Sequence, residues 1–156
     1  MKEIEENKGG HPNVIKYFTS FLEKDHLYIL MEYAGKGDLY KILKKQREKK
    51  KYISEKEMWE YASQILQAAS FLHAHNIMHR DIKCLNIFLT DYGVVKLADL
   101  GISKYQGHAV PLMGTRVGTP LYLAPELVLA RPYDHKIDIW SIGCALYHLA
   151  CLEPPF

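Results

Sequence analysis

Cysteine, net charge and long apolar runs are all scarce in this sequence, and each scarcity removes a class of protein. Three cysteines in 156 residues, Cys84, Cys144 and Cys151, make neither a pair of metal-ligand spacing nor an even-numbered disulfide framework. They read as reduced thiols of an intracellular protein. A net charge of +2 gives no bulk attraction to nucleic acid or an anionic membrane, so no nucleic-acid partner is expected. The longest apolar run, Ile139 to Leu152, is too short to span a bilayer and carries Ser141 and His148, so it reads as a buried helix. Met1 leads into Lys2, Glu3, Glu5 and Glu6 rather than an apolar segment, so no signal peptide is expected and a cytoplasmic or nuclear location follows.

The stretch that organises the rest is His79-Arg80-Asp81-Ile82-Lys83-Cys84-Leu85-Asn86, followed by the apolar Ile87-Phe88-Leu89 and, beyond a hairpin, Asp99-Leu100-Gly101. An Asp, a Lys two residues on, an Asn three further and a second Asp are the parts that phosphoryl transfer needs. That reaction asks for positioning and for neutralisation of charge on the migrating group, with little covalent work. Asp81 would orient the proton of an attacking hydroxyl, Lys83 would offset phosphoryl charge, and Asn86 with Asp99 would hold magnesium, which favours oxygen ligands shared with nucleotide phosphates. His-Arg-Asp alone is a common surface triplet and Asp-Leu-Gly alone is more often a turn. Their order, with Ala124-Pro125-Glu126 and Asp138-Ile139-Trp140 following, makes the joint signal.

On these residues the chain resembles a eukaryotic Ser/Thr protein kinase, and Leu100, Phe88 and the segment Gly118-Thr119-Pro120-Leu121-Tyr122 make it most similar to the NIMA-related (NEK) branch. The resemblance implies an α+β, two-lobed protein-kinase-like fold, truncated: residues 1–33 a remnant of the N-lobe and hinge, 34–156 a C-lobe lacking its last helices. A whole kinase domain needs roughly a hundred residues more. It implies an ATP- and Mg2+-dependent enzyme acting on Ser/Thr hydroxyls of protein substrates, located in the cytoplasm, or by family likeness at the cytoskeleton or in the nucleus. No Gly-rich loop and no strand lysine in a Val-Ala-Ile-Lys context are found, so the chain as given is expected to be poorly active. The competing reading is a catalytically inactive kinase-like scaffold or interaction fragment. A nucleic-acid binder using the basic run Lys41 to Lys51 lacks interleaved aromatics, and that run reads as a solvated helix and loop.

The resemblance assigns further roles. Met31 would guard the back of the adenine pocket, backbone groups of Glu32 and Ala34 would bond the adenine edge, Asp38 would touch the ribose, and Phe88 would form the adenine floor. Asp38 is also a good helix N-cap, and Phe88 also a core residue; neither role excludes the other. Glu3 is the nearest candidate for the C-helix acid, and a solvated surface glutamate accounts for it equally well. Arg80, beside Asp81, gives a reason to expect phosphoregulation, with Thr115 as the site and Ser103 as runner-up. Thr119 would bond Asp81 and Lys83, and Asp138 would accept hydrogen bonds from the catalytic-loop backbone. In the family the residue at Glu126 pairs with an Arg near the end of the domain, and no such Arg is expected within these 156 residues.

Local patterns complete the expectation. His11 to Ile15 begins a strand region. Phe18 to Phe21 and Leu27 to Tyr33 form a hairpin about Glu23-Lys24-Asp25. Ser54-Glu55-Lys56-Glu57 is a capping box, opening a helix with an apolar stripe at Met58, Tyr61, Ala62, Ile65, Ala69 and Leu72 that ends near Asn76. Ile87 to Thr90 and Val94 to Ala98 form a second hairpin about Asp91-Tyr92-Gly93. His73 and His75 share no helical face, which argues against a metal site there.

Overall fold

The structure, a computed structural model, describes residues 10–99, 104–105 and 120–156. Helices and short antiparallel sheets are mixed in an α+β arrangement. In chain order the elements are β1 (Tyr17–Glu23), β2 (His26–Met31), β3 (Gly37–Asp38), α1 (Leu39–Glu48), α2 (Glu55–Ala74), β4 (Ile77–Met78), β5 (Ile87–Leu89), β6 (Val95–Leu97), β7 (Lys104–Tyr105), α3 (Pro125–Val128) and α4 (Lys136–Cys151). Short 3-10 turns lie at Cys84–Asn86 and Pro120–Tyr122.

The expected first strand region is a turn instead. Pro12 sits at the second position of a β-turn closed by Val14 N–H on His11 O (3.0 Å), after which Val14 makes a single parallel bridge to Leu97. The β1–β2 hairpin forms as expected with tighter bounds: Glu23 already pairs with His26, and only Lys24 and Asp25, both at positive φ (46° and 61°), make the turn. Two consecutive left-handed residues give the turn whose twist matches the flanking strands. Phe21 stacks across the pair on Tyr28 at 5.1 Å, and both faces of the hairpin are exposed.

Asp38 caps α1, its Oδ1 accepting the Lys41 N–H at 2.8 Å. Leu39 and Leu43 point inward while Lys44, Lys45 and Arg47 face out, and Arg47 pairs with Glu153. The capping box of α2 is reciprocal: Glu57 N–H donates to Ser54 Oγ and Ser54 N–H donates to Glu57 Oε2, both at 3.3 Å. Ala62, Ile65, Ala69 and Leu72 are buried at the spacing of one helical face. The helix ends at Ala74, two residues before the expected end, because Asn76 takes a left-handed conformation (φ 58°) that asparagine tolerates.

The run expected to be a buried helix is α4, and only one face is covered. Ile137, Ile142, Ala145 and Leu149 pack inward, whereas Ile139 and Tyr147 are exposed and Trp140 stacks on Phe156 at 5.8 Å. The core lies between α1, α2, α4 and the β3–β5–β6 sheet, with Leu39, Ile65, Leu72, Ile82, Ile87 and Leu149 almost fully buried. At about 1.5–3 kcal/mol for each such side chain, this layer is the stable base on which the 79–99 segment is mounted.

Candidate active site

One fully buried carboxylate anchors the segment. Asp138, near the start of α4, accepts His79 N–H on Oδ2 (2.9 Å), Arg80 N–H on Oδ1 (2.8 Å) and His73 Nε2–H on Oδ2 (2.8 Å). Three N–H donors replace the water that a buried carboxylate loses. They also hold Arg80 at φ 67°, a left-handed conformation costing a non-glycine residue about 1 kcal/mol or more. His79 is likewise buried; its Nδ1 accepts Asp81 N–H (3.3 Å), so Nε2 carries the proton it gives to Ala98 O (2.8 Å). Burial holds the His79 pKa below the usual 6.5, against the opposing pull of Asp138, so the ring is neutral as this pattern requires.

On that anchored turn Asp81, Lys83 and Asn86 come together. Lys83 Nζ lies 2.7 Å from Asp81 Oδ2, and Asn86 Nδ2 donates to the same oxygen (2.9 Å) and to Asp81 O (2.8 Å). The 3-10 turn Cys84–Asn86 returns Asn86 toward Asp81, closed by Asn86 N–H on Lys83 O (2.9 Å). Ala98 N–H donates to Asn86 O at 2.9 Å, which brings the residue before Asp99 against Asn86. Asp99 leaves β6 at φ 63° with its side chain exposed. The donor set fits magnesium: Asn86 has committed its amide nitrogen and keeps Oδ1, and Asp99 offers a carboxylate one residue beyond Ala98, which bonds Asn86. Among the described residues no three His, Cys, Asp or Glu side chains form a metal cluster, so a cation held here would take its other ligands from phosphate and water.

The sheet sets a second group abreast. In β5 Phe88 pairs with Asp38 of β3 on one side and Lys96 of β6 on the other. Phe88 is half-buried. Asp38 is 9% exposed and spends Oδ1 on its cap. Met31 closes β2 opposite Tyr17 and is 43% exposed. Glu32 N–H donates to Lys16 O (2.8 Å) and Ala34 O accepts Gly37 N–H (3.1 Å), so the backbone groups left for a ligand are Glu32 C=O and Ala34 N–H. That is one acceptor beside one donor.

Thr115 and Thr119, together with Glu3, Leu100 and Ser103, lie outside the described residues. Arg80 is half-buried behind Asp81, and Glu126 is half-buried on α3. Two side chains take part without a local motif to mark them. His73, which the helical spacing only excludes as a metal ligand, bonds Asp138. Lys96 lies between Val95 and Leu97 in a buried strand, where a lysine demands a carboxylate partner, and Glu32 Oε1 is 2.7 Å from its Nζ. Cys84, beside Lys83, is no nucleophile: burial pushes its thiol up to about 11.

The family model described as protein kinase domain matches residues 1–156. The chain is 44% identical over 150 residues to serine/threonine-protein kinase Nek5 of Homo sapiens, covering 96% of this chain and 21% of that protein. It is 45% identical over 151 residues to the probable serine/threonine-protein kinase nek3 of Dictyostelium discoideum (94% and 13%), and 43% identical over 146 residues to Nek1 of Mus musculus (94% and 12%). The chain thus spans between 12% and 21% of the length of these curated relatives.

Proposed function

The chain belongs to the protein kinase family, with Nek serine/threonine kinases among its relatives, and from that premise we propose that it transfers the terminal phosphate of ATP to Ser and Thr hydroxyls of protein substrates with magnesium. The observation that carries the proposal is the Asp81 carboxylate, bonded on one oxygen by Lys83 and Asn86 and mounted on a turn anchored by Asp138. With both bonds on Oδ2, Oδ1 is the oxygen that would meet the substrate hydroxyl and orient its proton. Lys83, whose Nζ lies beside Asp81 Oδ2, would offset the negative charge of the transferring group. Asn86 Oδ1 and the Asp99 carboxylate would hold magnesium, which would supply positive charge to offset that of the phosphates. Glu32 C=O and Ala34 N–H would take the adenine edge, Phe88 its face and Asp38 the ribose, with Met31 behind.

Residues 1–33 then fall in the N-lobe and hinge and 34–156 in the C-lobe. Thr115 as a regulatory phosphosite read by Arg80, Thr119 as a partner of Asp81 and Lys83, and a cytoplasmic location belong to the same proposal. Among the described residues no helix is long and apolar enough to cross a membrane. The second reading, an inactive kinase-like scaffold, draws on the exposed apolar side chains of the hairpin, Phe21, Leu22, Leu27 and Ile29.

The test is Asp81→Asn in the full-length protein, read as radiolabelled phosphate transferred from ATP to Ser- and Thr-containing peptides. Loss of the group that positions the hydroxyl proton lowers kcat by about 10²–10⁴-fold. Transfer at the wild-type rate by Asp81→Asn would refute the assignment, and no transfer by wild type that still binds MgADP would favour the scaffold.

A further inference from the structure

Lys96 is a lysine with little access to water. It lies on β6 between Val95 and Leu97 and is 8% exposed. Its ammonium is matched by Glu32, whose Oε1 is 2.7 Å from Nζ. Glu32 is gripped on its other side as well: Oε2 accepts Lys16 N–H at 3.2 Å, and its own N–H donates to Lys16 O at 2.8 Å. One side chain therefore joins the entrance of β1, the exit of β2 and the middle of β6.

The link falls where the fold needs one. The chain entering β1 is fastened to β6 by Leu97 N–H on Asn13 O (2.8 Å) and Ile15 N–H on Leu97 O (2.9 Å). The chain leaving β2 next bonds the body through its backbone at Lys36, whose N–H donates to Leu89 O at 3.1 Å. Between Met31 and Lys36 the ion pair ties the exit strand to the sheet. Lys96 is also directly opposite Phe88, so the two side chains share a face.

We propose that Lys96 is a positioning residue for nucleotide: through Glu32 it sets the spacing between the 32–34 backbone and the Phe88 ring, and so the fit of an adenine ring between them. The inference rests on the adenine site proposed above. It assigns Lys96 an effect on affinity without an effect on the chemical step, because neither Lys96 nor the Glu32 carboxylate bonds Asp81, Lys83 or Asn86.

The test uses the full-length protein, with MgADP affinity measured by calorimetry beside KM for ATP and kcat. Lys96→Met keeps the alkyl chain against Phe88 and removes the charge. It should weaken MgADP binding and raise KM by about tenfold, the size of a typical coupling between contacting charged residues, with kcat changed by less than about twofold. The exchange Lys96→Glu with Glu32→Lys restores the ion pair but not the acceptor for Lys16 N–H, and should recover part of the lost affinity. Should Lys96→Met not fold, Glu32→Gln provides the same reading against Lys96→Arg, which retains the charge and should bind as wild type does. MgADP affinity unmoved by charge removal overturns the proposal, and so does a rise in kcat at constant KM, which would make the pair a restraint. A wild type that binds MgADP without transferring phosphate sinks the kinase reaction alone, since the affinity comparison still stands.

Discussion

Replacing Asp138 tests the idea that a buried carboxylate holds the catalytic turn in shape. In Asp138→Asn the amide keeps its volume and can still present an oxygen to Arg80 N–H, now 2.8 Å from Oδ1. Its NH2 then faces His79 N–H and His73 Nε2, which both donate to Oδ2 in the native protein at 2.9 and 2.8 Å. At least one buried N–H loses its acceptor and meets a donor instead, and the remaining bond loses its charge. Hydrogen bonds to charged groups contribute about 1.5–3 kcal/mol each and an orphaned buried donor costs about 1–3 kcal/mol. A destabilisation of about 2–4 kcal/mol is therefore expected for Asp138→Asn, and about 3–5 kcal/mol for Asp138→Ala, where all three donors are stranded. Urea unfolding of the wild type and both variants measures it, as a shift of midpoint at constant slope. Because Arg80 is held at φ 67° by the same carboxylate, loss of phosphate transfer should exceed the loss of folded protein. A change below about 0.5 kcal/mol in Asp138→Asn, within the range of ordinary surface substitutions, would refute the reasoning.

The other expectations are more local. Ser54→Ala removes the acceptor of the Glu57 N–H, and a loss of about 1 kcal/mol in urea unfolding is expected, as for other N-cap serines; no loss would mean that water caps α2 equally well. Stability should also fall at both ends of the pH range. His79 is held neutral below its usual 6.5, so the unfolded chain binds the extra proton and stability is lost as pH drops below 6.5. Cys84 goes the other way: its thiol ionises near 9.0 when unfolded and only at about 11 when folded, so its contribution is complete below pH 9 and is lost between pH 9 and 11. Removing the thiol in Cys84→Ala should flatten the alkaline limb of unfolding measured from pH 8 to 10.5. An alkaline limb of unchanged slope would assign that loss to other groups.

Much of the site could be read from spacing alone, because its groups are close in sequence. Asp81, Lys83 and Asn86 fall on one short turn, and a hairpin of a few residues is enough to return Asp99 to Asn86. The caps at Asp38 and Ser54 were legible for the same reason, since a side chain bonding an N–H three residues on needs no tertiary partner. The bounds of the first hairpin and of the 11–15 segment were less legible, since a two-residue left-handed turn without glycine and a single turn with Pro12 at its second position leave weak signals. Which apolar residues of α4 are covered could not be read from a run in which they so outnumber Ser141 and His148.

What residue order determined by itself is the chemistry: which oxygens, amides and ammonium groups are available, and at what separations along the chain. Tertiary structure decided what holds them. Asp138 lies 57 residues from Asp81 in the numbering yet fixes the turn that carries it, Gln64 meets both Asn13 and Val95 at 2.9 Å, and Lys96 of β6 meets Glu32 at the exit of β2, a strand of a different sheet. These partners are chosen by burial, because a charge or N–H removed from water must find its counterpart wherever packing brings one, and no local pattern records where that will be.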